Sequence, residues 1–243
     1  MNSLTKEEAK KQIIDNNKKI SDLIESNESI ARKVFDLNPP VTNYRIADSK
    51  QKIQMPKKYI RRANDFRSRY HLSEIVNNKV IEDNMVYAIQ YTDFSNFILN
   101  RINIWGPIKS IFIKYAVILH VSIIEELILQ CVNNICSPSN CPYINKCDIH
   151  MSKKQRNSSY EGLLRLNELS ITKYDDDELQ NIKDLIDLRN KVHIRLSDKN
   201  EFTSDIYNMD LHNKSISEIG RLDKFIYENG VGFYKECKYK KER

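Results

Sequence analysis

Apolar residues recur along most of the chain at spacings of three, four and seven, the pattern of amphipathic helices. Only 5 glycines and 6 prolines punctuate the 243 residues. So few turn-forming residues favour long helices over many short strands. The sequence therefore predicts an all-α fold, a helical bundle, with helical segments at 5–35, 56–70, 72–103 (one or two helices), 107–135, 158–169, 176–196 and 214–229.

The first of these segments is predicted to begin at a capping box and to end before Asn38-Pro39-Pro40. Thr5 and Glu8 have the spacing of the box, in which each side chain bonds the backbone N–H of the other residue. A seven-residue period follows, typical of coiled coils. The helix either pairs in a coiled coil or packs on its own domain. Two sets of positions carry the period: Ile13, Ile20, Asn27 and Val34, and between them Asn16, Leu23 and Ile30.

Composition shifts divide the chain into three predicted parts. Residues 1–38 form the N-terminal helix, and residues 39–79 form a polar linker and a basic helix. Residues 80–243 form a helical domain with a cysteine-rich insert at 136–157. The helix at 107–135 is apolar on almost every side, which is typical of the central helix of a core.

The formal net charge is +6, which favours an anionic partner such as RNA. In the segment PKKYIRRANDFRSRY, the cations Lys58, Arg62 and Arg69 fall near one helical face with Tyr59 and Phe66 between them. Cations contact phosphates and aromatic rings stack on bases, so the segment predicts RNA binding. The alternative is a solvated helix face.

The N-terminal residues are charged, without the apolar core of a secretory signal. The most apolar stretch, residues 111–124, is too short to span a bilayer and is interrupted by Lys114 and His120. We therefore expect a cytoplasmic protein with no membrane partner.

Three cysteines and a histidine lie within fifteen residues, at Cys136, Cys141, Cys147 and His150. Three thiolates and one imidazole can complete a tetrahedral structural zinc site, which would order a loop that lacks apolar periodicity. Reduced surface thiols, a disulfide and an iron–sulfur cluster are the alternatives. Three cations come next in the sequence and are predicted to meet an RNA backbone: Lys153, Lys154 and Arg156.

The most specific pattern lies in the segment 176–196. Leu179, Ile182 and Ile186 define an apolar stripe, and its next two positions are Arg189 and His193. Arginine on a stripe that faces the core is costly unless a partner or ligand meets it.

A cation beside His193 would lower the pKa of the imidazole and keep it neutral, so that it can act as a general base. The neighbouring guanidinium can hold a phosphate and stabilise developing charge. Together the two groups could cleave RNA without a metal. The alternative is an Arg189 satisfied by a buried carboxylate and a His193 that only packs.

The string Leu188-Arg189-Asn190-Lys191-Val192-His193, late in a helical domain, resembles the signature of the HEPN superfamily. These are small α-helical domains, many of them metal-independent endoribonucleases of toxin, anti-phage and RNA-processing systems. The resemblance covers roughly residues 80–230. The gap between arginine and histidine is shorter here than the family's usual gap.

The resemblance implies that Arg189 and His193 are the catalytic pair and Asn190 an accessory polar residue. The family's acidic residue would be Glu125 or Glu126. Glu125 shares a face with apolar residues and is the better partner for Arg189, whereas Glu126 lies on a polar stripe.

In such families two motif helices meet across a homodimer, so Leu179 and Ile186 would lie partly in the interface. The implied function is an RNA endonuclease, a toxin or phage-defence effector controlled by an antitoxin or another regulatory protein. The alternatives are a non-catalytic RNA- or protein-binding module stabilised by structural zinc, and a zinc-stabilised DNA-binding regulator.

Overall fold

The computed structural model describes residues 5–35, 60–135, 151–191 and 206–229, and within these ranges it contains helices and turns but no strand. The all-α prediction is confirmed for this part of the chain. The helices are α1 (Lys6–Phe35), α2 (Ala63–Arg69), α3 (Leu72–Ile75), α4 (Lys79–Arg101), α5 (Gly106–Ile135), α6 (Lys153–Asn157), α7 (Ser159–Glu168), α8 (Asp176–Asn190) and α9 (Met209–Glu228).

Helix α1 belongs to a first unit, Met1–Met55, and begins where the sequence predicts. The backbone N–H of Thr5 donates to Glu8 Oε2 at 2.8 Å, and that of Glu8 donates to Thr5 Oγ1 at 3.3 Å. These two bonds are the predicted capping box. They satisfy backbone donors that the first helical turn leaves without partners.

The second unit, Pro56–Arg243, is built around α5. This helix packs against α3, α4, α6, α7, α8 and α9. The core is formed largely by aliphatic side chains from α5 and the inner faces of its neighbours, among them Val86, Ile124, Leu127, Ile128, Leu163, Leu166, Ile182, Leu185, Leu222 and Ile226. The apolar character of α5 on nearly every side is thus explained by neighbours on nearly every side.

Local capping fixes where the helices around α5 begin. Asn78 accepts the backbone N–H of Val80 at 2.9 Å at the start of α4. Asp175 accepts the backbone N–H of Glu178 at 2.8 Å at the start of α8, and Glu178 bonds back to the N–H of Asp175. Carboxylates at this end of α8 also complement the positive end of the helix dipole.

The predicted basic helix at 56–70 differs from the structure, in which α2 begins at Ala63. Ile60 to Arg62 are not helical, because Arg61 is held by Asp93 of α4. The backbone N–H and the side chain of Arg61 both donate to this carboxylate. Helices α2 and α3 belong to the same unit as α4, since Phe66, Leu72 and Ile75 are fully buried in its core.

Candidate active site around Arg189

Arg189 lies in the last turn of α8, where this helix passes over α5. Its Nε lies 3.4 Å from Oε2 of Glu125, and the two side chains are 43% and 17% exposed. The structure thus brings together the arginine and the carboxylate that the sequence paired. The apolar stripe of α8 reaches the protein surface here, since Ile182 and Ile186 are buried whereas Arg189 is half-exposed.

Glu125 is held from a second side by α7. The hydroxyl of Ser159 donates to Glu125 Oε1 at 3.0 Å, and Ser159 is buried at the first position of α7. One carboxylate oxygen therefore binds the hydroxyl while the other faces the guanidinium. Ser159 was not predicted. The only sequence signal was the pair Ser158-Ser159 at the start of a predicted helix, which suggests a cap rather than a partner for Glu125.

The side chain of Asn190 adds a further contact, as its Oδ1 accepts a hydrogen bond from Nη1 of Arg189 at 3.3 Å. Glu126, the alternative acidic residue, instead accepts a bond from Gln130 at 2.7 Å along the same helix. Arg189, Asn190, Glu125 and Ser159 thus form one polar cluster where α5, α7 and α8 meet. A half-exposed guanidinium oriented by a carboxylate is suited to binding a phosphate or another anion.

The structure corrects two expectations about α8. The helix ends at Asn190 rather than at residue 196, with Lys191 N–H bonded to the carbonyl of Asp187 at 3.2 Å as its C-cap. His193 lies outside the described residues, so its place beside Arg189 stays a prediction. Leu179 and Ile186 are buried by the chain itself, which does not fit their expected role as interface residues.

Only some of the residues predicted to contact RNA in the basic segment are exposed in the structure. Arg62 and Arg69 are exposed, and Lys58 lies outside the described residues. Phe66 is fully buried under the guanidinium of Arg61, whose carbon lies 4.6 Å from the ring centre. Phe66 therefore cannot stack on a base. Its side chain is part of the core, because α2 packs on α4.

The cations at 153–156 lie on α6, beside the start of α7. Lys153 is exposed, while Lys154 Nζ lies 2.5 Å from Glu161 Oε1. Nη1 of Arg156 donates to the carbonyl of Met151 at 2.9 Å. Of these three residues, Lys153 is the best placed to meet an external anion.

The predicted zinc ligands Cys136, Cys141, Cys147 and His150 all lie outside the described residues, and the zinc site stays a prediction. Among the residues that are described, no group of three or more His, Cys, Asp or Glu side chains could hold a metal ion. Cys131 is buried in α5, and burial raises the pKa of its thiol to about 12. It is a core residue.

A second polar cluster, inside the core, was not predicted as such. His120 of α5 bonds Thr92 Oγ1 through Nε2 at 3.0 Å and Ser215 Oγ through Nδ1 at 2.7 Å. The ring of His212 lies 5.3 Å away, and both rings are fully buried. Burial, reinforced by the nearness of His212, lowers the pKa of His120 to about 3. The rings are therefore neutral and join α4, α5 and α9.

No helix in the described ranges is long and apolar enough to cross a lipid bilayer. Comparisons with models of protein families, with curated proteins and with solved structures find no significant match to this chain.

Proposed function

We propose that the protein is a metal-independent endoribonuclease of HEPN type that acts as a dimer, as a toxin or phage-defence effector. The observation that carries the proposal is the ion pair between Arg189 and Glu125 at the surface where α5, α7 and α8 meet. Glu125 orients the guanidinium without removing it from solvent. An arginine held in this way can bind a phosphodiester and hold the charge that develops on it.

The reaction needs a base close to that cation, and His193 follows Arg189 by one helical turn of sequence. Its imidazole takes the proton of a ribose 2′-hydroxyl, and the 2′-oxygen attacks the adjacent phosphorus. The bond between phosphorus and the 5′-oxygen breaks, and the leaving oxygen takes up a proton from the imidazolium. The products are a 2′,3′-cyclic phosphate and a 5′-hydroxyl. Arg189 binds the non-bridging oxygens, whose negative charge is greatest in the transition state.

Substrate binding would draw on exposed cations of the same unit. Lys153 on α6 and Arg62 and Arg69 at α2 are exposed cations that can contact an RNA backbone. RNA binding through such contacts weakens as salt rises, because each neutralised phosphate releases counterions.

The test compares cleavage of total RNA in EDTA by the unmodified protein, Arg189→Ala and His193→Ala. Arg165→Ala is the matched control, since Arg165 also pairs with a glutamate on a helix surface, at 2.8 Å from Glu168. We expect cleavage by the unmodified protein and by the control, and a loss of at least 100-fold in both site variants. Product 3′ ends that accept a label only after the cyclic phosphate has been opened and the resulting phosphate removed, together with free 5′-hydroxyls, identify the chemistry.

Each alternative result has a distinct meaning. RNA binding without cleavage by the unmodified protein favours the non-catalytic binding module. Cleavage that survives in both site variants overturns the assignment of Arg189 and His193. Cleavage that requires an added divalent metal overturns the proposed mechanism.

A further inference from the structure

Helix α1 presents six large aliphatic side chains to solvent, and four of them, Ile13, Ile20, Leu23 and Ile30, form a row along one face. The six are between 45% and 64% exposed in the single chain: Ile13, Ile14, Ile20, Leu23, Ile24 and Ile30. All other described side chains of α1 are exposed too, except Ala9 and Glu28, which are half-buried. A lone helix gains little from its hydrogen bonds in water, so its stability depends on covering such a face.

The spacing of the row indicates what covers it. The period is seven residues, 3.5 per turn, which winds helices around each other in a left-handed coiled coil. A helix that packs on a globular core follows the 3.6 period instead. With Ile13, Ile20 and Asn27 on one seam and Asn16, Leu23 and Ile30 on the other, α1 fits a partner helix with the same period.

Between Ile13 and Ile30 the order of residues in the two seams is symmetric. Taken inward from these two residues, the seam positions are isoleucine (Ile13 and Ile30), asparagine (Asn16 and Asn27) and a branched aliphatic residue (Ile20 and Leu23). The members of each pair lie equally far from the midpoint between residues 21 and 22. A second copy of α1 running in the opposite direction therefore places apolar residues against apolar residues and each asparagine against an asparagine.

We propose that two copies of the chain associate through α1 as an antiparallel coiled coil. Ile13 meets Ile30, Asn16 meets Asn27 and Ile20 meets Leu23, each contact occurring twice around a two-fold axis. Sliding the copies by one heptad would put asparagine against leucine or isoleucine, and an unpaired buried amide is costly. The asparagines thus set the register.

Charges beside the seams are compatible with this pairing. In the antiparallel arrangement Lys19 flanks Ser26 of the second copy, and Gln12 flanks Lys33, so that no two like charges are opposed. Parallel copies would place Lys6 against itself at the first seam position. Pairing through α1 uses none of the residues of the proposed ribonuclease site, so either proposal can fail without the other.

The experiment measures energy transfer between dyes on different copies of the full chain. Azide-bearing residues replace Lys11 in one preparation and Ser29 in another, at exposed positions away from the seams. Antiparallel pairing places positions 11 and 29 of different copies within about 5 Å along the axis, and two copies of position 11 about 32 Å apart. With dyes of short transfer range, we expect strong transfer in the 11/29 mixture and weak transfer in the 11/11 mixture.

Two variants that introduce the same side chain test the role of the seam. Leu23→Lys interrupts it, whereas Asp22→Lys changes the neighbouring residue, which lies on neither seam. Leu23 is 64% exposed in the single chain, so its replacement should leave the fold intact, which circular dichroism checks. We expect transfer to fall at least tenfold in Leu23→Lys and to persist in Asp22→Lys.

Strong transfer in the 11/11 mixture alone would overturn the antiparallel arrangement. Absence of transfer in both mixtures would overturn pairing through α1. If sedimentation still showed a dimer in that case, association through the catalytic unit would account for it, and the proposed function would be unaffected.

Discussion

Glu125 holds Arg189 at the end of α8, with Oε2 3.4 Å from the guanidinium Nε, while its Oε1 accepts the hydroxyl of Ser159. Three helices therefore meet at one carboxylate. The cation remains accessible at the surface because α8 leaves the core at this residue. Glu125 thus positions the guanidinium, and Arg189 is the residue that would contact the substrate.

Glu125→Gln should lower the rate of the proposed RNA cleavage about tenfold or more, without unfolding the protein. The amide can keep the hydrogen bond from Ser159, but it loses the charge that orients Arg189. Because Glu125 acts through Arg189, the effect should appear in kcat more than in KM. Steady-state cleavage of a defined RNA measures both constants.

Glu126→Gln is the matched control for this prediction. Glu126 is the adjacent residue, half-buried, and is bonded to Gln130 on its own helix rather than to Arg189. Its replacement should leave cleavage within about twofold. Equal losses in the two variants would show that Glu125 does not position Arg189.

The pairing of Glu125 with Arg189 could be predicted from periodicity and the resemblance, because each residue lies on a face set by its own helix. Ser159 could not be predicted, since its contact with Glu125 depends on how α7 packs across α5. The end of α8 was also missed. The apolar and basic pattern continues past Asn190, and nothing in the residues themselves signals the turn at Lys191.

The packing of α2 could not be predicted from its local sequence either. A basic segment with an interspersed phenylalanine indicates RNA binding as readily as it indicates a helix packed on a core. The long-range bonds from Arg61 to Asp93 favour packing on the core, because they hold the segment against α4, where Phe66 is buried. Contacts between residues so far apart in sequence are not encoded in any local pattern.

Acid should destabilise the fold through His120 and His212. Burial lowers the pKa of both rings, to about 3 for His120, where it is reinforced by His212, whereas for His212 it is partly offset by Asn213. Both rings are thus neutral in the folded protein and protonate near pH 6.5 when unfolded. Their stabilising contribution is complete above about pH 6.5 and is lost as the pH falls below it.

Asp223 opposes this trend. Burial raises its pKa to about 6, against the hydrogen bond from His71, so the folded state takes up a proton there before the unfolded state does. As the pH falls below 6.5, the unfolded chain takes up protons on the two histidines, and the folded chain takes up a proton on Asp223. Stability should therefore fall with pH, but less steeply than the two histidines alone would make it fall.

Two variants should change this slope in opposite directions. His212→Phe removes one titrating ring and should flatten the dependence, whereas Asp223→Asn removes the opposing proton and should steepen it. Urea unfolding at intervals between pH 7 and 5 measures the free energy of unfolding. Parallel pH profiles for the three proteins would contradict the assignment of these groups.

Gly162→Ala should destabilise the protein by about 1–3 kcal/mol. A Cβ at Gly162 would lie 2.9 Å from the carbonyl oxygen of Gln155 and 3.0 Å from Cγ2 of Val132, so α7 could not approach α5 and α6 as closely. A shift of α7 would also move Ser159. RNA cleavage should therefore fall in this variant even at temperatures where it remains folded.

Gly220→Ala provides the comparison, because Gly220 lies inside α9 and a Cβ there would meet nothing within 4 Å. Alanine restricts the unfolded chain and favours helix, so the variant should gain about 0.5–1 kcal/mol. Thermal melts of the two variants should move to opposite sides of the unmodified protein. A loss of stability in both would point to a general intolerance of these helices rather than to the close approach at Gly162.

Arg61→Ala should lower the free energy of unfolding by about 1–3 kcal/mol, although partial exposure of this arginine favours the lower half of that range. The variant loses the bonds at 2.9 and 2.6 Å from Nε and Nη2 to Asp93, together with the contact over the ring of Phe66. Arg62→Ala, at an exposed neighbouring position, should change stability by less than about 0.5 kcal/mol. Urea midpoints measure the stability of both variants.

Combining Arg61→Ala with Asp93→Asn tests the pairing of the two residues directly. The double variant should lose less than the sum of the single losses, since both replacements disrupt the same ion pair. Additive losses would show that Arg61 stabilises the fold through Phe66 rather than through Asp93.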